Sequence, residues 1–137
     1  MGSVEPEPGR IEKFIEETPA EGPIVMINLL RYRERADYPA DAGVSPCSGR
    51  EAYQRYGEGV LPLIAKVGAK PIFAGAVAST VVSPEDEAWD DAVLVEYPNR
   101  AAFIEMTSSA DYQAIAFHRT AALADSRLIA TTATGAP

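Results

Sequence analysis

An α+β fold is indicated by two features of the 137-residue sequence. Four stretches have the residue content of β-strands, and the stretches between them carry apolar residues at helical spacing. After a short N-terminal helix, the predicted elements follow the order β-α-β-β-α-β. This order is typical of the ferredoxin-like fold, in which helices cover one face of a four-stranded antiparallel sheet.

The first half of the chain predicts two helices and one strand. The first helix has an apolar face and ends before Pro19, because proline cannot continue a helix. The strand is apolar on both of its faces except at Asn28, as expected for a strand covered on both sides. The predicted ranges are Arg10 to Thr18 for the first helix, Pro23 to Tyr32 for the strand and Gly49 to Gly68 for the second helix.

The second half predicts three strands and two helices. The second strand places large apolar residues on one side and small residues on the other. Asn99 and Ser108 are suited to capping the N-termini of the two helices. The predicted strands are Pro71 to Val82, Ala92 to Tyr97 and Arg127 to Thr132, with helices beginning near Arg100 and at Ser108.

One domain over residues 10–134 accounts for these elements, preceded by a flexible arm over residues 1–9 that is rich in Glu, Pro and Gly. The sheet face away from the helices carries apolar side chains. Pairing two such faces removes them from water, so we expect a homodimer. The irregular stretch Arg33 to Ser48 is long for a compact domain and is interpreted as a lid or an interface arm.

Composition excludes several classes of function. The net charge of −8 disfavours nucleic acid as a partner. The apolar run Ile24 to Leu30 is too short for a membrane span, and the chain start lacks a secretory signal, so we expect a cytoplasmic protein without membrane contact. One Cys and one His cannot build a His/Cys metal cluster. Phosphate-loop and dinucleotide motifs are absent, and no cofactor is predicted.

Arg119 is the most informative polar residue. It lies on the apolar stripe of the last helix, where a charge needs a partner. That partner is either a carboxylate such as Glu96, a backbone carbonyl, or an anionic ligand.

Four further side chains are candidates for a site. His118 has the chemistry for proton transfer near neutral pH, or it is an ordinary half-exposed histidine. Asn28 either bonds the neighbouring strand or points into a cavity. Tyr53 and Tyr56 lie on the inner stripe of their helix, where they pack in the core or line a pocket with their hydroxyl groups.

The sequence resembles the DUF1330 family in Pro23 to Tyr32, Tyr53 to Tyr56, Glu96 to Arg100, Asp111 to Gln113 and His118-Arg119. The resemblance implies a dimeric α/β barrel, in which two ferredoxin-like sheets pair face to face. Proteins of that superfamily include cofactor-free monooxygenases, small-ring isomerases, haem-using enzymes and ligand-sensing domains. The resemblance also implies that Asn28, Tyr53, Tyr56 and Arg119 belong to a pocket.

The chain departs from the family pattern in the second strand. Many members carry an acidic residue followed by glycine there, whereas this chain has Phe73-Ala74-Gly75-Ala76 and lacks the carboxylate.

Two functions are compatible with these features. In the first, the protein binds a small anionic or carbonyl-bearing metabolite and acts on it as a cofactor-independent enzyme, similar to a monooxygenase or an isomerase. Arg119 and His118 would be catalytic, and Asn28, Tyr53 and Tyr56 would hold the substrate. In the second, the protein is a non-catalytic homodimer that binds a metabolite or has a structural role.

Overall fold

A four-stranded antiparallel sheet forms the centre of the computed structural model, which describes residues 2–135. The strand order is β2-β3-β1-β4. This arrangement confirms the predicted α+β fold and the order of its elements. In chain order the elements are α1 (Arg10–Glu17), β1 (Ile24–Tyr32), α2 (Gly49–Lys66), β2 (Lys70–Ala76), β3 (Asp91–Tyr97), α3 (Arg100–Ser108), α4 (Ala110–Ala122) and β4 (Leu123–Thr131).

Two strand boundaries differ from the sequence prediction by more than one residue. The prediction that the second strand continues to Val82 is wrong, because β2 ends at Ala76, opposite the first residue of β3, Asp91. Beyond that pair, in the part of the chain that the structure describes, a single backbone hydrogen bond joins the two segments, from the Val77 N–H to the Asp90 carbonyl. β4 begins at Leu123, four residues earlier than the predicted Arg127, because β1 extends far enough to pair with it there.

The helices pack on one face of the sheet. Ile24, Met26 and Leu30 of β1 are buried beneath them, and Leu123 at the end of α4 has no exposed surface. Burying a side chain of this size contributes about 1.5–3 kcal/mol of transfer free energy. Asn99 caps α3 as predicted, and Ser48 and Glu51 form a capping box at the start of α2. The prediction that the last helix begins at Ser108 is wrong, because Ser108 ends α3 and the side chain of Ser109 caps α4 by accepting from the Tyr112 N–H.

The opposite face of the sheet, which we call the open face, has no covering element among residues 2–135. The strand registers align one apolar side chain from each strand in a row across it: Phe73, Leu94, Ile27 and Ile129. Phe73 is 56% exposed and Ile129 is 46% exposed. A single chain therefore leaves a continuous apolar row in contact with water.

The stretch Arg33 to Ser48 lies against α4 of its own chain. Arg33 donates its backbone N–H to the Ala122 carbonyl, and Gly49 donates to the Arg33 carbonyl at 3.1 Å. A Cβ atom on Gly49 would overlap the carbonyl oxygens of both Arg33 and Ala122. Glycine is therefore required where these three segments meet.

The residues before α1, which we expect to form a flexible arm, make several hydrogen bonds to the domain. Ser3 donates its N–H to the Asp125 carboxylate at 2.8 Å, and its carbonyl accepts from the Ser126 hydroxyl at 2.6 Å. Thr120 donates its hydroxyl to the Glu5 carboxylate at 2.9 Å. This segment thus lies along β4 and α4.

No helix within residues 2–135 has the length and apolar character needed to cross a membrane.

Candidate functional site

A wide, open cavity of about 1450 Å³ lies between the helix-covered face of the sheet, the helices and the N-terminal segment. Four of the five predicted site residues line it together: Asn28, Tyr53, Tyr56 and Arg119. Tyr112 of α4 also lines the cavity. The fifth predicted residue, His118, does not.

Arg119 lies in the last turn of α4 and is half-buried. Its guanidinium donates a hydrogen bond to the Val4 carbonyl oxygen at 2.8 Å. No salt bridge within residues 2–135 includes Arg119. The alternative of a pair with Glu96 is wrong, because Glu96 is directed to the open face, where it lies 4.0 Å from Lys70. The positively charged guanidinium of Arg119 is therefore hydrogen-bonded to a neutral carbonyl oxygen and not to a carboxylate.

Two phenols, Tyr53 and Tyr56, lie near this guanidinium, and Tyr112 contacts the second of them. The hydroxyl groups of Tyr56 and Tyr112 are 3.0 Å apart, and the rings of Tyr53 and Tyr56 lie 5.3 Å apart. Burial raises the pKa of Tyr53, and the neighbouring Arg119 partly offsets this effect. Burial, followed by the charge of Tyr112, raises the pKa of Tyr56 well above its ordinary value. Both phenols are therefore protonated at neutral pH and act as hydrogen-bond donors.

Asn28 lies in the middle of β1, on the helix-covered face between Val93 and Leu128 of the adjacent strands. Its amide nitrogen donates to the Val93 carbonyl at 3.3 Å. Both alternatives for this residue hold, since the side chain bonds a neighbouring strand and also lines the cavity.

His118 forms a separate cluster on the outer side of α4. Its Nδ1 atom lies 2.6 Å from the Tyr38 hydroxyl, which also accepts from Arg55 at 3.4 Å. Burial, followed by the positive charge of Arg55, lowers the pKa of His118. Successive helical residues point about 100° apart, which is why His118 contacts the Arg33 to Ser48 stretch while Arg119 faces the cavity.

The arrangement suits the binding of a small polar head group inside a partly apolar cavity. Arg119 supplies a positive charge, and phenol and amide groups supply donors around it. Two features were missed at the sequence level. Tyr112 shares a helical stripe with Arg119 and could have been included on that basis, but the contact of Arg119 with Val4 spans the whole chain and leaves no local signal. No cluster of metal-ligating side chains occurs in residues 2–135.

The sequence model of the DUF1330 family, described as a domain of unknown function, matches residues 46–132. The chain belongs to the DUF1330 family. This confirms the resemblance found in the sequence. A comparison with curated proteins gives no significant match.

Among solved structures, this DUF1330 chain is similar to a protein of unknown function from Rhodopseudomonas palustris. The two are 37% identical with a TM-score of 0.87, and 96% of each chain is covered. A hydroxynitrile lyase from Passiflora edulis is 13% identical with a TM-score of 0.57, covering 87% of this chain and 100% of the lyase. A dimeric ferredoxin-like protein from Bacteroides fragilis is 16% identical with a TM-score of 0.51, covering 82% and 98%. The ferredoxin-like fold is thereby confirmed.

Proposed function

We propose that this DUF1330 protein binds a small, partly apolar molecule with an anionic or carbonyl head group in the cavity. The observation that supports this proposal is the guanidinium of Arg119, which lines the cavity and has only neutral neighbours among residues 2–135, the Val4 carbonyl and the Tyr53 phenol. An anion at this position would form a stronger, charge-assisted hydrogen bond than the backbone oxygen does.

The phenols complement this role. Tyr53 and Tyr56 are protonated phenols at neutral pH, as any tyrosine with an ordinary or raised pKa is, so they can donate to an oxygen of the ligand, and Asn28 orients it. Donors that converge on a carbonyl oxygen also polarise it. We extend the proposal to cofactor-independent catalysis on such a compound, with Arg119 as the polarising group. His118 has no part in it, because its ring lies in the Tyr38 cluster.

The proposal includes a homodimer formed through the open face. The apolar row that contains Phe73 and Ile129 is exposed in a single chain, and a second copy would cover it with an identical row. Self-complementary faces of this kind are those that two-fold dimers bury.

Ligand binding is tested with benzoate as the anionic probe and acetophenone as the carbonyl probe, by isothermal titration calorimetry. Loss of one charge-assisted bond costs ~2 kcal/mol, so Arg119→Gln is expected to weaken benzoate binding about thirtyfold. Acetophenone is expected to lose less, because it carries no charge. Arg55→Gln is the matched control, since Arg55 lies outside the cavity lining. Equal benzoate affinity in the wild type and Arg119→Gln would contradict the proposal.

A native mass spectrum of the purified protein addresses catalysis and assembly. A retained small molecule provides a candidate substrate, and its turnover by the wild type but not by Arg119→Gln supports an enzyme. Binding without turnover favours the non-catalytic alternative. Leu94→Asp places a carboxylate in the apolar row. If the wild type is a dimer and this variant is a monomer, the result supports pairing through the open face.

A further inference from the structure

The residues that follow β2 have the composition of a strand but do not lie in the sheet. We call Val77 to Val82 the valine segment. Valine and threonine supply four of its six residues, and both types favour extended backbone. Val81 is 88% exposed and Val82 is 91% exposed. These two apolar side chains are adjacent, almost fully exposed and part of a strand-forming sequence. Exposed apolar surface of this kind indicates a site that a partner covers.

After Val77, the backbone of the valine segment is also unpaired. Val77 donates its N–H to the Asp90 carbonyl at 2.8 Å. This is the last backbone hydrogen bond between the residues that follow β2 and the residues that precede β3. Within residues 2–135, no backbone hydrogen bond involves the N–H or carbonyl groups of residues 78–82. Residues 78–80 lie just before a bend of the chain at residues 81–83. A run of free backbone donors and acceptors is a template for pairing with another strand.

The segment lacks the usual protections of an exposed edge. Residues 77–82 contain no charged side chain and no proline, whereas Pro84 and three acidic residues, Glu85, Asp86 and Glu87, follow directly. Charges and prolines are the features that normally prevent edge pairing. Their position just beyond the segment leaves the segment free to pair and disfavours the stacking of many copies through charge repulsion.

The location of the β2–β3 connection identifies the partner. Trp89, near the end of this connection, stacks on the guanidinium of Arg127 at 4.9 Å. Arg127 lies opposite Leu29 on the open face. Glu87 of the same connection pairs with Arg127 at 3.3 Å. The connection therefore borders the surface on which a second copy of the chain would dock.

We propose that the valine segment forms intermolecular β-strand hydrogen bonds with a second copy of this chain, covering Val81 and Val82 in the dimer. This inference rests on the homodimer part of the proposed function and adds a specific element to it. Main-chain pairing supplies affinity, and the two valines supply apolar contact.

The first test is amide hydrogen exchange, measured by mass spectrometry on a peptide that covers residues 78–82. The protein is studied well above and well below the dimer dissociation constant. Paired amides exchange only when the pairing opens, so we expect at least about tenfold slower exchange in the dimer than in the dissociated chain. Equally fast exchange in both states overturns the inference.

The second test removes single donors. Alternate N–H groups of a strand point to opposite edges, so Thr80→Pro and Val81→Pro are made separately. The proline that falls in the ladder is expected to raise the dimer dissociation constant about tenfold or more. Thr80→Val, which keeps the N–H, is the matched control and should bind as the wild type does.

Three outcomes distinguish a failure of the strand pairing from a failure of the proposed homodimer. A dimer whose affinity is unchanged by either proline overturns the strand pairing alone. A chain that is monomeric at high concentration overturns both the strand pairing and the homodimer. Benzoate binding in the cavity is measured independently of both.

Discussion

Replacement of Arg119 by alanine separates a ligand-binding role from a structural one. In the folded chain the guanidinium makes one hydrogen bond, at 2.8 Å, to the Val4 carbonyl. A hydrogen bond with a charged donor contributes about 1.5–3 kcal/mol, and the half-buried position lowers that value through contact with water. The acceptor belongs to a surface segment, so water can replace the lost donor. We expect Arg119→Ala to lower the free energy of unfolding by about 1–2 kcal/mol.

A buried ion pair would behave differently. Removing one member of such a pair leaves an unpaired buried charge and costs about 3–5 kcal/mol. The assay is urea unfolding at a fixed protein concentration, because dimer formation would make the apparent stability concentration-dependent. A loss of 3 kcal/mol or more would refute the view that Arg119 has only neutral partners in the folded chain.

Arg100→Ala provides the calibration for this measurement. Arg100 also donates to backbone carbonyls, those of Ile15 at 2.6 Å and Thr18 at 2.7 Å. With two such bonds, its replacement is expected to cost at least as much as that of Arg119. A much larger loss at Arg119 than at Arg100 would again indicate a structural role.

Three other predictions follow from single contacts. Tyr56→Phe removes the 3.0 Å bond to Tyr112 and should lower the free energy of unfolding by about 1 kcal/mol in urea. Gly49→Ala forces a Cβ atom against the Arg33 carbonyl, and a loss of less than ~1 kcal/mol in thermal unfolding would contradict this contact. Because the pKa of His118 is lowered in the folded chain, the unfolded chain takes up the proton first, and stability is lost as the pH falls through ~6.5. Melting curves at pH 7, 6 and 5 should show a smaller loss in His118→Asn than in the wild type.

Local sequence patterns predicted most of the fold. Asn99 was predicted to cap α3 and does so through its own side chain, whereas the capping box of Ser48 and Glu51 at the start of α2 was not predicted. Interactions of this kind involve residues three positions apart, so they are visible in the sequence. The apolar run of β1 likewise identified a strand. Its single amide, Asn28, was predicted either to bond the neighbouring strand or to point into a cavity.

The site could be predicted only in part. Tyr53, Tyr56 and Arg119 were found because helical spacing places them on inward stripes. His118 was grouped with them on the basis of its chemistry, whereas the structure places its ring against Tyr38. Neighbouring positions on a helix face different surroundings, and residue type alone does not distinguish them.

The order of the elements, the start of α3 after Asn99 and the inward stripes were determined by the sequence, because each depends on residues within a few positions of one another. The end of β2 at Ala76 was decided by the tertiary structure, since a strand continues only where a neighbour can pair with it. The contact between Arg119 and Val4 was decided in the same way, because it joins residues separated by 115 positions and exists only once the chain has folded.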